Sequence, residues 1–287
     1  LKGDCAAPLI VGADNIKINL NGFAVKRTSE NEDDPELDVG YIQVRNRRGV
    51  TITNGKVEGY CYRCLRIRGG YSNRVTNMSL VAGQEGMGVI VDNSRGNLIK
   101  NVKVISSGAR VGVNILRGDE NIVDHFTSEG FLDSGAYIAG SRNRVTRSVI
   151  QIQQQIESPV GVWVIGGKRN LIDRNEIRCR FGFELPGILL FRGSSDTTIK
   201  SNSINGCQTG IDTEAARTII KANRIANSVQ AGIKVASLEN TIRSNTVENS
   251  GTIDMLDFNP NCGTNNWKNN SFSTDSEGDG PRAGCIR

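Results

Sequence analysis

Asp133, Glu157 and Glu184, with Arg110 beside them, are the residues of this chain best suited by type and spacing to acid–base chemistry. They follow Glu85 in one series, each just ahead of a short apolar strand segment. If each belongs to a successive coil of a stacked scaffold, neighbours lie about 4.8 Å apart and alternate members about twice that. Carboxylate pairs at about 5 Å serve retaining glycoside hydrolysis, and pairs at roughly 6.5–9.5 Å serve the inverting reaction. An apolar, aromatic surround raises one carboxyl pKa and so separates acid from base. The plainer reading is that carboxylates in turns are simply solvated. His125, in Asp124-His125-Phe126, falls on a different turn and reads as an exposed turn residue.

The scaffold is legible in a recurrence. Gly, apolar, any, apolar appears at Gly88–Val91, Gly112–Ile115, Gly135–Ile138, Gly161–Val164, Gly187–Leu190, Gly210–Thr213 and Gly232–Val235. A second phase runs beside it: Ile172/Asn175/Ile177, Ile199/Asn202/Ile204, Ile220/Asn223/Ile225, Ile242/Asn245/Val247 and Trp267/Asn270/Phe272. Period-two strands repeating every 21 to 28 residues or so, with Gly and Asn at turns, predict a solenoid. The expected fold is all-β: a single right-handed parallel β-helix of about 10–11 coils, three strands to each. Stacking turns the inward Val, Ile and Leu into continuous columns, and puts the Asn residues in a column whose amides bond from coil to coil. The Asn are expected to tolerate a left-handed turn, and the repeated Gly to supply a backbone conformation that bulky residues resist.

Strand alternation then fixes what faces outward on the third strand. One outward row reads Gln43, Arg66, Ile90, Asn114, Tyr137, Trp163, Leu189, Asp212, Lys234, Asp254. The next reads Arg68, Asp92, Leu116, Ala139, Ile165, Phe191, Glu214, Ala236, Leu256. The middle is apolar and aromatic, flanked by Arg66 and Arg68 on one side and Asp212 and Glu214 on the other. Such a patch is rarely left bare without a use. It marks Tyr137, Trp163, Ile165, Leu189, Phe191, Asn114, Asp212 and Arg66 as a ligand-binding set in which the rings stack on sugars or another flat ligand. The alternatives are that loops or a second copy cover the patch, or that the rows are misregistered.

Composition bounds the rest. The net charge of +5 comes from 35 basic and 30 acidic residues, too balanced to suggest nucleic acid. Lys100, Lys200, Lys221, Arg243 and Lys268 form a solvated basic edge with some attraction for anionic polymers. No apolar run is long enough to span a membrane, so a soluble chain is expected. It begins at Leu1 rather than Met, as expected if an export signal has been removed. Of 7 cysteines, Cys262 and Cys285 are placed to staple the tail, and Cys179 and Cys207 to bridge successive coils. Cys61-x-x-Cys64 invites a metal or redox reading, but no second such motif and one His accompany it, so no metal and no cofactor are expected. The expected organisation is a cap over 1–13, the β-helix over 14–260, and a last partial coil with its tail over 261–287. An acidic insertion, Thr28 to Asp38, and extra residues at Gln151–Pro159 and Arg180–Pro186 depart from the repeat; loops on one edge often wall a binding face.

The opening GADNIKINLNGF and the ending DFNPNCGTNNWKNNSF…CIR resemble the secreted right-handed parallel β-helix proteins of the pectate-lyase-like superfamily. They are most similar to the branch with carbohydrate-binding and sugar-hydrolase (NosD-like) repeats. The resemblance implies the fold across nearly the whole chain, together with an extracellular setting and polysaccharide ligands. It carries over no catalytic set: the Gly-His-Gly of polygalacturonases, the Asp-Pro-His-Asp of alginate epimerases and the calcium-binding Asp cluster of pectate lyases have no counterpart here. The expected function is an extracellular carbohydrate-active protein, an enzyme cleaving or modifying a polysaccharide over the third strand. Alternatives are a non-catalytic rod whose apolar face binds a partner or a second copy, and an enzyme acting on a hydrophobic small molecule.

Overall fold

The protein is described here from a computed structural model covering residues 1–26, 40–153, 160–180, 186–278 and 284–287, without the side chains of 60, 84, 107 and 131–133. It is a parallel β-helix. One coil shows the pattern: a first strand Leu171–Asp173, a second Glu176–Arg180 and a third Pro186–Leu190, each pairing in parallel with its equivalent in the next coil. Toward the N-terminus the three strands of a coil merge into single long ones, Thr51–Arg68, Arg74–Asp92 and Leu98–Asp119. The only helix among the described residues is the 3-10 turn Pro260–Cys262.

The first strands stack Ile18, Ile52, Val75, Ile99, Val123, Val145, Ile172, Ile199, Ile220, Ile242 and Trp267 into one column. The third strands stack Ile42, Leu65, Val89, Val113, Ala136, Val162, Ile188, Ile211, Ile233 and Met255, all buried. A lone coil has nothing to cover these side chains, so each rung depends on its neighbours for burial.

Two amide ladders thread the interior. In the expected one, Asn202 Oδ1 accepts from the backbone N–H of Asn175 (2.9 Å) and from its Nδ2 (3.0 Å), and Asn223, Asn245 and Asn270 repeat the arrangement. The left-handed residue is not this Asn but the one before it: Arg174, Ser201, Ala222, Ser244 and Asn269. The second ladder, Asn73, Asn97, Asn121, Asn143 and Asn170, was not read from the sequence. Its signal was available, since each Asn stands two residues before an inward Val or Ile.

The repeated glycines have a different cause from the one expected. None of Gly88, Gly112, Gly135, Gly161, Gly187, Gly210 and Gly232 has a positive φ. They are required by close approach. A Cβ on Gly161 would lie 2.2 Å from the Gly187 carbonyl oxygen and 2.7 Å from Ile177 Cγ2. The absent side chain lets the third strand lie against the second across the narrow interior.

Disulfides join Cys61 to Cys64, Cys179 to Cys207 and Cys262 to Cys285, leaving Cys5 free. Pairing within Cys61-x-x-Cys64 removes the thiolates that a metal reading of that motif needs. Among the described residues no helix is long and apolar enough to cross a membrane.

Candidate functional site

The third-strand face has the expected register over most of its length. Gln43, Arg66, Ile90, Asn114, Tyr137, Trp163, Leu189, Asp212 and Lys234 are consecutive partners in one outward row. The last coil departs from the reading. Lys234 pairs with Leu256, not Asp254, and the Phe258 N–H bonds to Val235 O, so Phe258 rather than Leu256 continues the Ala236 row. That coil has Asp254 where its neighbours have Gly, which removed the marker used to align it. Asp254 is instead buried, its carboxylate accepting from the backbone N–H groups of Ser250, Ser273 and Thr274.

The centre of the face is a packed aromatic and aliphatic strip. The rings of Tyr137 and Trp163 meet edge to face, centroids 5.4 Å apart. Tyr137, Trp163, Ile165 and Leu189 are half-buried, and Phe191 is 42% exposed. Asn114 and Arg66 are buried. Arg66 is committed to Asp92, whose carboxylate also meets Arg68 at 3.6 Å and Arg117 at 2.7 Å. This end of the face is therefore a closed ionic knot.

The other end is less complete. Asp212 Oδ2 accepts from Lys234 Nζ at 2.9 Å, while its Oδ1 is buried with no hydrogen-bond partner. Burial pushes the Asp212 carboxyl above the usual range, the Lys234 ammonium opposes this, and Glu214 adds to it. Glu214 accepts from Arg192 Nε at 2.9 Å. Lys234 Nζ lies 5.6 Å from the centre of the Phe258 ring, which is 59% exposed. Phe258 is the residue that the sequence reading missed, because Asp254 stands where the neighbouring coils have the Gly that marks phase.

Of the expected catalytic residues, Arg110 is exposed and pairs with Glu85 at 3.1 Å. Glu157, Glu184 and the side chain of Asp133 lie outside the described residues, as does the acidic insertion from Thr28 to Asp38. His125 is half-exposed, its Nδ1 3.0 Å from Asp124 Oδ2. A groove of about 550 Å³ on the second-strand face is lined by Glu176, Arg178, Ser203, Asn205 and Arg224. Its charges are already spent: Arg178 pairs with Glu176 and Arg224 with Glu248.

The stacked three-strand coils define a class, the parallel β-helix proteins. Within it the chain belongs to the NosD family: the family model described as "Periplasmic copper-binding protein (NosD)" matches residues 71–278. A search of curated protein sequences finds no match. Among solved structures it is similar to the catalytic domain of a GH87 alpha-1,3-glucanase in complex with nigerose, at 14% identity and a TM-score of 0.58, over 96% of this chain and 59% of that one. It is also similar to PfbA, a surface adhesin of Streptococcus pneumoniae, at 11% identity and a TM-score of 0.57, over 96% of this chain and 75% of that one. The chain thus spans under two thirds of the glucanase domain, and at these identities the likeness is one of fold.

Proposed function

We propose that this protein binds a neutral polysaccharide along the third-strand face, outside the cytoplasm. The observation that carries the reading is where unsatisfied polar atoms fall. Asn114 Oδ1, Trp163 Nε1 and Asp212 Oδ1 are all buried without a hydrogen-bond partner, and all three belong to one outward row. Buried polar groups are nearly always paired; single unpaired atoms also occur elsewhere, as at Ser128, Asp173, Ser228 and Asp275, but in this row they alternate with half-buried rings and aliphatic side chains. Half-buried rings interleaved with amide, indole and carboxyl groups suit a sugar chain, which offers flat apolar ring faces and hydroxyls at its edges. The apolar centre favours neutral over acidic sugars. The nigerose-bound glucanase domain shares the fold, which adds support of the same kind. Three disulfides fit an oxidising compartment.

Copper, named in the family description, does not fit the residues present. Copper sites draw on imidazole, thiolate and thioether donors. The one His is paired to Asp124 through Nδ1, six cysteines are disulfide-bonded, and Cys5 Sγ donates to Ala7 O. Met78 and Met255 are core residues, and Met87 Sδ accepts from Asn114 Nδ2. Among the described residues the one cluster of three candidate donors, Cys262, Glu277 and Cys285, includes a disulfide.

The test is affinity electrophoresis on immobilised glucans, mannans, xylans and polyuronates, with wild type and Trp163→Ala. A neutral polymer should retard the wild type, and the variant should bind about 1–3 kcal/mol more weakly, the range of aromatic stacking platforms. Retardation by none of the neutral polymers, or an unchanged Trp163→Ala, overturns the reading.

A further inference from the structure

We propose that the first-strand face of the last four coils binds a linear acidic polysaccharide with one carboxylate per sugar, lying along the rod axis over Lys200, Lys221, Arg243 and Lys268. This face is separate from the third-strand face, and the proposal does not depend on the reading given for that one.

Parallel pairing puts the four residues in one outward row: Lys200 partners Lys221, Lys221 partners Arg243, and Arg243 partners Lys268. In-register strands make the row straight, with about 4.8 Å between neighbours and about 14 Å from end to end. Like charges directly opposite on adjacent strands destabilise a sheet, and here three such pairs follow one another. Earlier in the same row the sequence avoids this. Lys100 stands 3.8 Å from Asp124, Thr146 comes next, and then Asp173, which meets Lys200 at 3.8 Å.

Elsewhere on the rod, cations meet acids of an adjoining coil. Arg192 pairs with Glu214, Arg224 with Glu248 and Lys234 with Asp212. Lys221, Arg243 and Lys268 do not: among the described residues no carboxylate lies within ion-pair distance of them and no hydrogen bond engages their side chains. Nor does an acid stand in the positions alongside, where Ile219, Thr241 and Asn266 lie on one side and Ala222, Ser244 and Asn269 on the other. Arg243 and Lys268 are exposed, and Lys221 is half-buried. The row is an uncompensated line of positive charge, open to solvent.

Charge complementarity decides the occupant. One cation per coil calls for one anion per repeat of an extended chain, and a pyranose ring is about as long as one strand spacing. Lysine stems are flexible, so their ammonium groups can follow acids that do not all point the same way. Arg243 offers a planar fork that takes a carboxylate through two N–H donors. Duplex nucleic acid is a poorer match, because its phosphates wind around an axis while this row is straight. Single strands are held by aromatic stacking platforms, and the positions beside the row hold none. A membrane surface calls for apolar residues that enter the headgroup region, and Ile219, 38% exposed, is alone in that role here.

The experiment is affinity electrophoresis of the full chain in gels containing polygalacturonate, its fully methyl-esterified form, or no polymer, at low and at physiological salt. The acid polymer should retard wild type and the ester should not, and the retardation should weaken as salt rises. The triple variant Lys221→Gln, Arg243→Gln, Lys268→Gln should bind the acid polymer about 3- to 100-fold more weakly. It should melt no lower than wild type, because it removes like-charge contacts, so lost binding is not lost folding. A control triple of equal charge, Lys17→Gln, Arg74→Gln, Arg144→Gln, takes exposed cations from the adjacent outward row of earlier coils and should bind as wild type does. On neutral polymers the site triple should behave as wild type, so the two faces fail separately. No retardation by polygalacturonate, equal loss in the two triples, or equal retardation by the ester overturns the proposal. Tighter binding to duplex DNA or to phosphatidylglycerol vesicles than to polygalacturonate overturns it in favour of those partners.

Discussion

Asp124 and Asp212 are both outward aspartates at strand positions on the same rod, yet their surroundings drive them in opposite directions. Asp124 Oδ1 accepts from Thr146 Oγ1 at 2.9 Å and Arg147 Nε at 2.8 Å, and Oδ2 lies 3.0 Å from His125 Nδ1. Burial would raise its pKa, but Arg147, His125 and Thr146 outweigh that and hold it to about 2. Asp212 has one cation, and burial prevails. A carboxylate whose acceptor sites are filled from within the chain belongs to the frame. One left with an empty, dry oxygen is available for another purpose. Exposure alone would not have separated them, since the Asp124 side chain is the more buried of the two.

The comparison can be broken at several levels. The harshest change is Gly161→Val in the strand that carries Trp163. Its Cβ would meet the Gly187 carbonyl at 2.2 Å, contact that backbone cannot relieve, so the expected outcome is loss of the cooperative transition in circular dichroism. A folded variant would show that the face is pliable rather than rigidly framed.

Asp124→Ala should come next, at about 1–3 kcal/mol in urea denaturation: Thr146 Oγ1 loses its acceptor, while Arg147 and His125, both about half exposed, are rehydrated. Asp124→Asn isolates the charge and should cost on the order of 2 kcal/mol near neutral pH. The pKa is lower in the folded state than in the unfolded chain, so this stability is full above about pH 4. It is lost as pH falls through about 2, and the gap between wild type and Asp124→Asn should close over that window. A gap independent of pH would mean that shape, not charge, holds this corner together.

Asp212→Asn is the mildest and has the opposite sign. Folding raises the pKa of this group, so its ionised form weakens the fold above that pKa. The amide should therefore be slightly more stable than wild type at neutral pH, by about 1 kcal/mol or less, with the difference vanishing on acidification. A destabilised Asp212→Asn would place Asp212 with Asp124 as part of the frame.

Much of this frame is legible in the sequence because β-helix stacking repeats itself. The inward Ile and Val columns, the Asn175-to-Asn270 ladder and two disulfides follow from spacing alone. So does the row from Gln43 to Lys234, since strand alternation leaves no freedom once the inward residues are known. What escaped depends on contacts between coils. Whether Gly161 serves a dihedral angle or a close approach is decided by Gly187, a coil away. Phe258 was hidden because Asp254 replaced the Gly that marked phase. Asp124 and Asp212 are the same letter, and only the residues stacked beside them decide that the cations prevail at one and burial at the other.

The Asn ladder has one more consequence, because every amide in it is completed by the coil that follows. At Asn270 the acceptor is not another Asn: its backbone N–H and Nδ2 both donate to the carbonyl of Arg287, at 3.1 and 2.8 Å. The Cys262–Cys285 bridge ties that segment down. The tail thus works as a stopper, filling the place that another rung would take. With the bridge reduced and the segment released, the Asn270 amide loses that acceptor, and this rung should be the first to exchange its amide hydrogens.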